Sequence, residues 1–131
     1  MAVIRTPLGR ARGLGSAKHG VGHFVVQRVT AVALIALVLW GVAAALSLAR
    51  SDYDGAVLWL RSPLNAGLAA LLAIAGFWHM QLGMAVIIED YFARPATKAA
   101  LLILNLFIAW GGAALTVLAL LKVAFASGVT V

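Results

Sequence analysis

Three apolar runs decide what this chain can become. They are FVVQRVTAVALIALVLWGVAAALSLA from Phe24 to Ala49, NAGLAALLAIAGFWHMQLGMAVII from Asn65 to Ile88, and AALLILNLFIAWGGAALTVLALLKVAF from Ala99 to Phe125. Each exceeds the roughly 20 residues that a helix needs to cross about 30 Å of hydrocarbon. In lipid only helices and closed barrels satisfy their own backbone groups, and runs of this length are too long for barrel strands. The pattern predicts an all-α integral membrane protein with three transmembrane helices, at about 24–49, 65–91 and 98–125, joined by short connections. A basic arm, 1–23, precedes them and a short tail, 126–131, comes after. Composition agrees: 64% of the 131 residues are hydrophobic and 11% are charged, against about a quarter charged in an ordinary soluble domain.

The connections carry local signals. Ser62-Pro63 suits a helix start, with serine as cap and proline at the first helical position. Arg94-Pro95 separates the second and third helices, because the residue before proline avoids helical geometry; Thr97 is a candidate cap for the third helix. Ser51 to Gly55 reads as a polar turn, and AVLWLR, Ala56 to Arg61, as a short interfacial segment in which Tyr53 and Trp59 are at home. Gly111-Gly112-Ala113-Ala114 and Gly67-Leu68-Ala69-Ala70 allow close approach between helices.

Charge gives the expected orientation. Arg5, Arg10, Arg12, Lys18, Arg28, Arg94 and Lys98 lie on one side, and Arg50, Arg61 and Lys122 on the other. The excess of basic residues predicts a cytoplasmic N-terminus and, after three crossings, a periplasmic C-terminus. No acidic residue precedes Asp52. The arm therefore reads either as a mitochondrial presequence or as a basic surface for anionic lipid or a partner protein. The first apolar run is too long for the h-region of a cleaved signal. No basic–aromatic pattern points to nucleic acid. With no cysteine in the chain, iron–sulfur ligation and cysteine-bound zinc within it are excluded.

The anomalies are polar residues in apolar surroundings. His79 stands well inside the second run, where an ionisable side chain is costly and functional by default; the plain alternative is a neutral histidine bonded to a neighbouring helix. Asp90 comes eleven residues later, about three turns plus 20° on, so the two share a helix face. Gly76 and Gly83 flank His79 and either leave room for a flat ligand or serve packing alone. Imidazole is a common axial ligand of haem iron. Tyr91 is either an interfacial anchor or a donor to a carbonyl oxygen, with Asp90 to orient it, pair with a partner's arginine or relay a proton. Arg28 either snorkels to the headgroups or pairs with a carboxylate, with Gln27 and Thr30 as polar neighbours. His19 and His23 fall in the arm, where interfacial histidines are ordinarily solvated.

HMQLGMAVIIEDY, His79 to Tyr91, resembles the second-helix signature of the small hydrophobic membrane-anchor subunits of succinate dehydrogenase, respiratory Complex II: a histidine, a glycine four residues on, and Asp-Tyr eleven and twelve residues on. HFVVQRVTAVAL, His23 to Leu34, resembles the same family's entry into its first helix, including Arg28. The resemblance implies that His79 is one axial ligand of a haem b shared with a sister subunit, with Gly83 packing beside it. It implies that Tyr91 hydrogen-bonds a ubiquinone carbonyl with support from Asp90, and that Arg28 lies near the haem propionates or the quinone pocket. The implied partners are a flavoprotein subunit, an iron–sulfur subunit and a second three-helix cytochrome b anchor subunit, in the bacterial inner membrane rather than the mitochondrial one. The chain lacks a dinucleotide motif and a second intrahelical histidine, so it is expected to be part of an enzyme. The rival expectation is a haem-free structural anchor of a fumarate reductase-like or other respiratory complex.

Overall fold

The structure, a computed structural model, describes residues 6–12 and 20–126. Arg5, Lys18, His19 and the tail beyond Ala126 lie outside the described residues. Among the described residues five helices succeed one another: α1 (Pro7–Arg12), α2 (Gly20–Leu48), α3 (Tyr53–Arg61), α4 (Pro63–Tyr91) and α5 (Pro95–Phe125). Helices α2, α4 and α5 are the three long and apolar enough to cross a membrane. At about 1.5 Å per residue they reach about 43–46 Å, which leaves helical ends beyond the hydrocarbon.

Helix boundaries differ from the apolar runs because lipid sorts side chains while the helix is closed by backbone bonds. α2 begins at Gly20, ahead of Phe24, so His23 belongs to its first turns and not to the arm, and the chain does have a second histidine within a helix, contrary to the expectation from the apolar runs. α4 begins with Pro63 at its first position; Ser62 is its N-cap residue in extended conformation, but the serine side chain makes no capping bond. Thr97 is not a cap. The fixed φ of proline suits the first helical position, so α5 starts at Pro95 with Arg94 as N-cap residue, and Thr97 falls inside its first turn. The expected polar turn is shorter than its sequence suggests. Asp52 caps α3 by accepting from the Gly55 amide at 2.9 Å, which draws Tyr53, Asp54 and Gly55 into that short amphipathic helix.

α4 is the central helix, with α2 and α5 both antiparallel against it. The α5 contact is made by small residues. Ala109 and Ala113, four residues apart, are buried with Asn105 one turn before them. A Cβ at Gly112 would lie 2.6 Å from Cε1 of Phe77. Gly112 is thus where α5 admits the α4 ring, whereas Gly111 and Gly67 face open space. Trp78 and Trp110 meet at 6.2 Å beside this contact. Along α2 the matching points are Gly41 against Leu72, Thr30 against His79 and Gln27 against Gly83.

Polar bonds tie the ends and the middle. At the end opposite the arm, Trp59 of α3 stacks on Trp40 of α2 at 5.8 Å, Asn65 donates to the Trp59 carbonyl at 3.0 Å, and Arg61 donates to the Ala126 carbonyl at 2.8 Å. At the other end Lys98 donates to the Glu89 carbonyl at 2.7 Å and closes the α4–α5 connection. Midway, the buried Asn105 amide donates to the Gln81 carbonyl at 2.9 Å.

Steric closeness should outweigh the single polar bond at the α4–α5 contact. Gly112→Val forces bulk into Phe77 and is expected to lower stability by about 1–3 kcal/mol, in the range of core overpacking. Asn105→Leu removes one hydrogen bond of a kind that averages about 0.6 kcal/mol in membranes. Unfolding of the purified assembly in an SDS titration gives both values, and Phe77→Leu should recover much of the Gly112→Val loss.

Candidate functional site

His79 sits half-buried in α4 at the α2 contact. Its Nδ1 lies 3.0 Å from Oγ1 of Thr30, which is itself only 7% exposed. The same Oγ1 lies 2.9 Å from the Val26 carbonyl oxygen and 3.1 Å from that of Gln27, both in the preceding turn of α2. The other ring nitrogen, Nε2, meets no hydrogen-bond partner among the described residues, nor is it sealed away from the molecular surface. The imidazole is therefore held on one nitrogen and free on the other.

Around it the helix is small. A Cβ at Gly76 would meet nothing within 4 Å, and one at Gly83 would reach only ordinary contact with Nε2 of Gln27, at 3.9 Å. No group of three or more His, Cys, Asp or Glu side chains gathers among the described residues. A single imidazole with an unpartnered nitrogen suits an iron already held by a porphyrin, where the protein supplies only axial ligands.

Because α4 is continuous from Pro63 to Tyr91, the angular relation of His79 and Asp90 holds: Asp90 is about 16 Å further along and about 20° round. Asp90 is exposed and Tyr91 is 82% exposed. Tyr91 is turned about 100° from Asp90, so it leaves the His79 stripe and falls on the side of Met80 and Met84. These two methionines line a groove of about 350 Å³ between α4 and α5, with Ile88, Phe92, Leu101 and Leu104. The rim thus presents a carboxylate below the imidazole and a phenol on the same side of α4 as the two methionines, next in sequence to Phe92 of the groove but not itself part of the lining.

Arg28 is not brought to His79 within this chain. It lies about 160° around α2 from Thr30, is exposed, and stacks its guanidinium 5.0 Å from the centre of the Phe24 ring. His23 and Gln27, by contrast, share the α4-facing side of α2 with Thr30, within about 60° of it.

Thr30 is the residue that sequence reasoning undervalued. It was legible only as a polar neighbour of Arg28, because it lies closer to the start of its apolar run than His79 lies to the end of its own. Its contact with His79 depends on how α2 packs on α4. Asn105, the buried amide of α5, was likewise visible as a lone polar residue in an apolar run.

The succinate dehydrogenase/fumarate reductase transmembrane subunit family matches residues 3–119. The succinate dehydrogenase hydrophobic membrane anchor subunit of Paracoccus denitrificans is 34% identical over 89% of this chain and 90% of its own. Those of Rickettsia bellii (strain RML369-C) and Rickettsia conorii (strain ATCC VR-613 / Malish 7) are 33% and 32% identical, over 76% and 72% of this chain and 80% and 76% of theirs. No solved structure is significantly similar to the chain. The three antiparallel apolar helices and the matches along almost their whole length lead to one conclusion: the chain belongs to the succinate dehydrogenase/fumarate reductase transmembrane subunit family, as a hydrophobic membrane anchor subunit of succinate dehydrogenase.

Proposed function

We propose that this anchor contributes one axial ligand of a haem b and part of a ubiquinone reduction site in a succinate:quinone oxidoreductase of the bacterial inner membrane. The observation that carries the reading is His79: half-buried, tethered through Nδ1 to Thr30, with Nε2 unpartnered among the described residues. A neutral imidazole in this position needs no counter-charge in the bilayer. A sister three-helix cytochrome b anchor would supply the second ligand. When bound, the haem offers a one-electron store beside the quinone site. Gly76 and Gly83 keep the helix slim on either side of the imidazole, Gly83 as the packing surface for the ring.

At the rim, Tyr91 donates its phenolic O–H to a carbonyl oxygen of ubiquinone. The apolar groove along Met80, Met84 and Phe92 gives a lipid-soluble ring an entry beside that hydroxyl. Reduction of the quinone to quinol takes two electrons and two protons. The electrons come from succinate through the flavoprotein and iron–sulfur subunits; the protons come from the aqueous side, where the exposed Asp90 carboxylate accepts and passes them on. Arg28 faces away from α4, so it meets a haem propionate or the quinone pocket at the junction with another subunit. The basic arm docks the soluble subunits on the cytoplasmic side, the side expected for the N-terminus from the excess of arginine and lysine.

Two measurements on the purified complex test this. His79→Ala should abolish the reduced b-type absorption bands; unchanged bands would leave the chain a haem-free structural anchor. Tyr91→Phe should lower quinone reductase activity about tenfold, the worth of one hydrogen bond of about 1–1.5 kcal/mol. Succinate oxidation with a soluble artificial acceptor should stay intact. Equal loss of both activities would mean general disruption, and wild-type quinone reduction would remove Tyr91 from the site.

A further inference from the structure

The Thr30 hydroxyl has three polar neighbours and one proton. Its Oγ1 lies 2.9 Å and 3.1 Å from the Val26 and Gln27 carbonyl oxygens and 3.0 Å from Nδ1 of His79. A hydroxyl brings one donor and two acceptor sites, and carbonyl oxygens can only accept. A threonine inside a helix ordinarily gives its proton to the carbonyl one turn back. Were the proton turned toward His79 instead, two carbonyl oxygens would face hydroxyl lone pairs at these short distances with no hydrogen between them. In a buried, low-dielectric contact that repulsion is not relieved by water.

We propose that Thr30 is a positioning residue for the haem ligand: it accepts a hydrogen bond from Nδ1–H of His79, fixes the neutral imidazole in that tautomer and directs the Nε2 lone pair toward the iron. This rests on the reading of His79 as the axial ligand. The tautomer is the one that ligation through Nε2 requires; the opposite one would carry a proton on Nε2. Threonine is suited to the task because its β-branch confines the hydroxyl to few rotamers, and the bond to the preceding turn selects one of them. Oγ1 is thus fixed by the backbone of α2, and the orientation of a ring on α4 is set by its neighbour helix. A metal-bound histidine whose other N–H is held by an oxygen acceptor is a stronger donor, so this bond favours the ferric state.

The test uses the whole complex, purified with Thr30→Val, Thr30→Ser, Thr30→Ala and His79→Ala. Haem content, the rate of haem transfer to apomyoglobin and the midpoint potential are read. Thr30→Val keeps the shape and removes the oxygen. It should lose haem about ten- to a hundredfold faster and shift the potential to more positive values. Thr30→Ala, which removes the hydroxyl without adding bulk, should do the same. Thr30→Ser retains Oγ and should stay close to wild type. Wild-type haem transfer and potential in Thr30→Val overturn the proposal, as does a serine variant as impaired as the valine one, which would point to packing. Haem lost in His79→Ala but unaltered in Thr30→Val removes Thr30 alone; haem retained in His79→Ala overturns the ligand reading itself.

Discussion

The bilayer is the solvent that the rest of the structure answers to. With no water to bond them, the backbone groups of this chain must bond one another, and three long helices are the result. The same solvent removes the usual reason for helices to associate, because lipid tails are as apolar as leucine. This explains how little of the chain is buried within itself: Leu82, Ala85, Ile88, Ala109 and Ala113 make up the buried apolar residues among those described, while long side chains such as Leu39, Val32 and Phe107 point outward. Association falls instead to close packing and to polar bonds. Ala109, Gly112 and Ala113 let α5 approach α4, and Asn105, Thr30 and Lys98 each add a bond between elements or across a connection.

Polar bonds in this setting have a second consequence. In water Thr30 and His79 would exchange partners with solvent; in the bilayer the alternatives are few, so each bond also fixes a geometry. Thr30 is bonded inside α2 whether or not α4 is present, but His79 finds its Nδ1 partner only when the two helices are antiparallel and in register. Register between α2 and α4 is thereby coupled to the orientation of the imidazole. Gly41 against Leu72 and Gln27 against Gly83 are the packing contacts that hold the same register on either side.

Much of this was legible in the sequence, for reasons that also mark its limit. Hydrophobic runs report which residues lie in lipid, so the three spans, the polar connections and the depth of His79 could be read directly. Runs do not report where backbone bonding stops, which is why α2 extends back through His23 and why Pro95, rather than Thr97, sets the start of α5. A helical period relates residues on one helix, so the shared face of His79 and Asp90 could be derived, and it also turns Tyr91 away from that face. It says nothing of what an adjacent helix presents. Thr30 on His79, and the outward turn of Arg28 onto Phe24, needed the packing of α2 on α4.

α4 is covered on two sides and open on a third, and the groups with chemistry cluster toward the open one. Gly76 meets nothing, Nε2 of His79 has no partner among the described residues, and Tyr91 projects outward beside the methionine-lined groove. An open face with a half-held ligand suits a cofactor gripped from two chains. A haem held as proposed would bind the assembled pair and not the separate anchors, and would stabilise assembly by mass action. On the proposed assignment every contact that tightens the grip on this side, the Thr30 bond included, would also strengthen the union of the two subunits, and haem retention and subunit association would be two readings of one equilibrium.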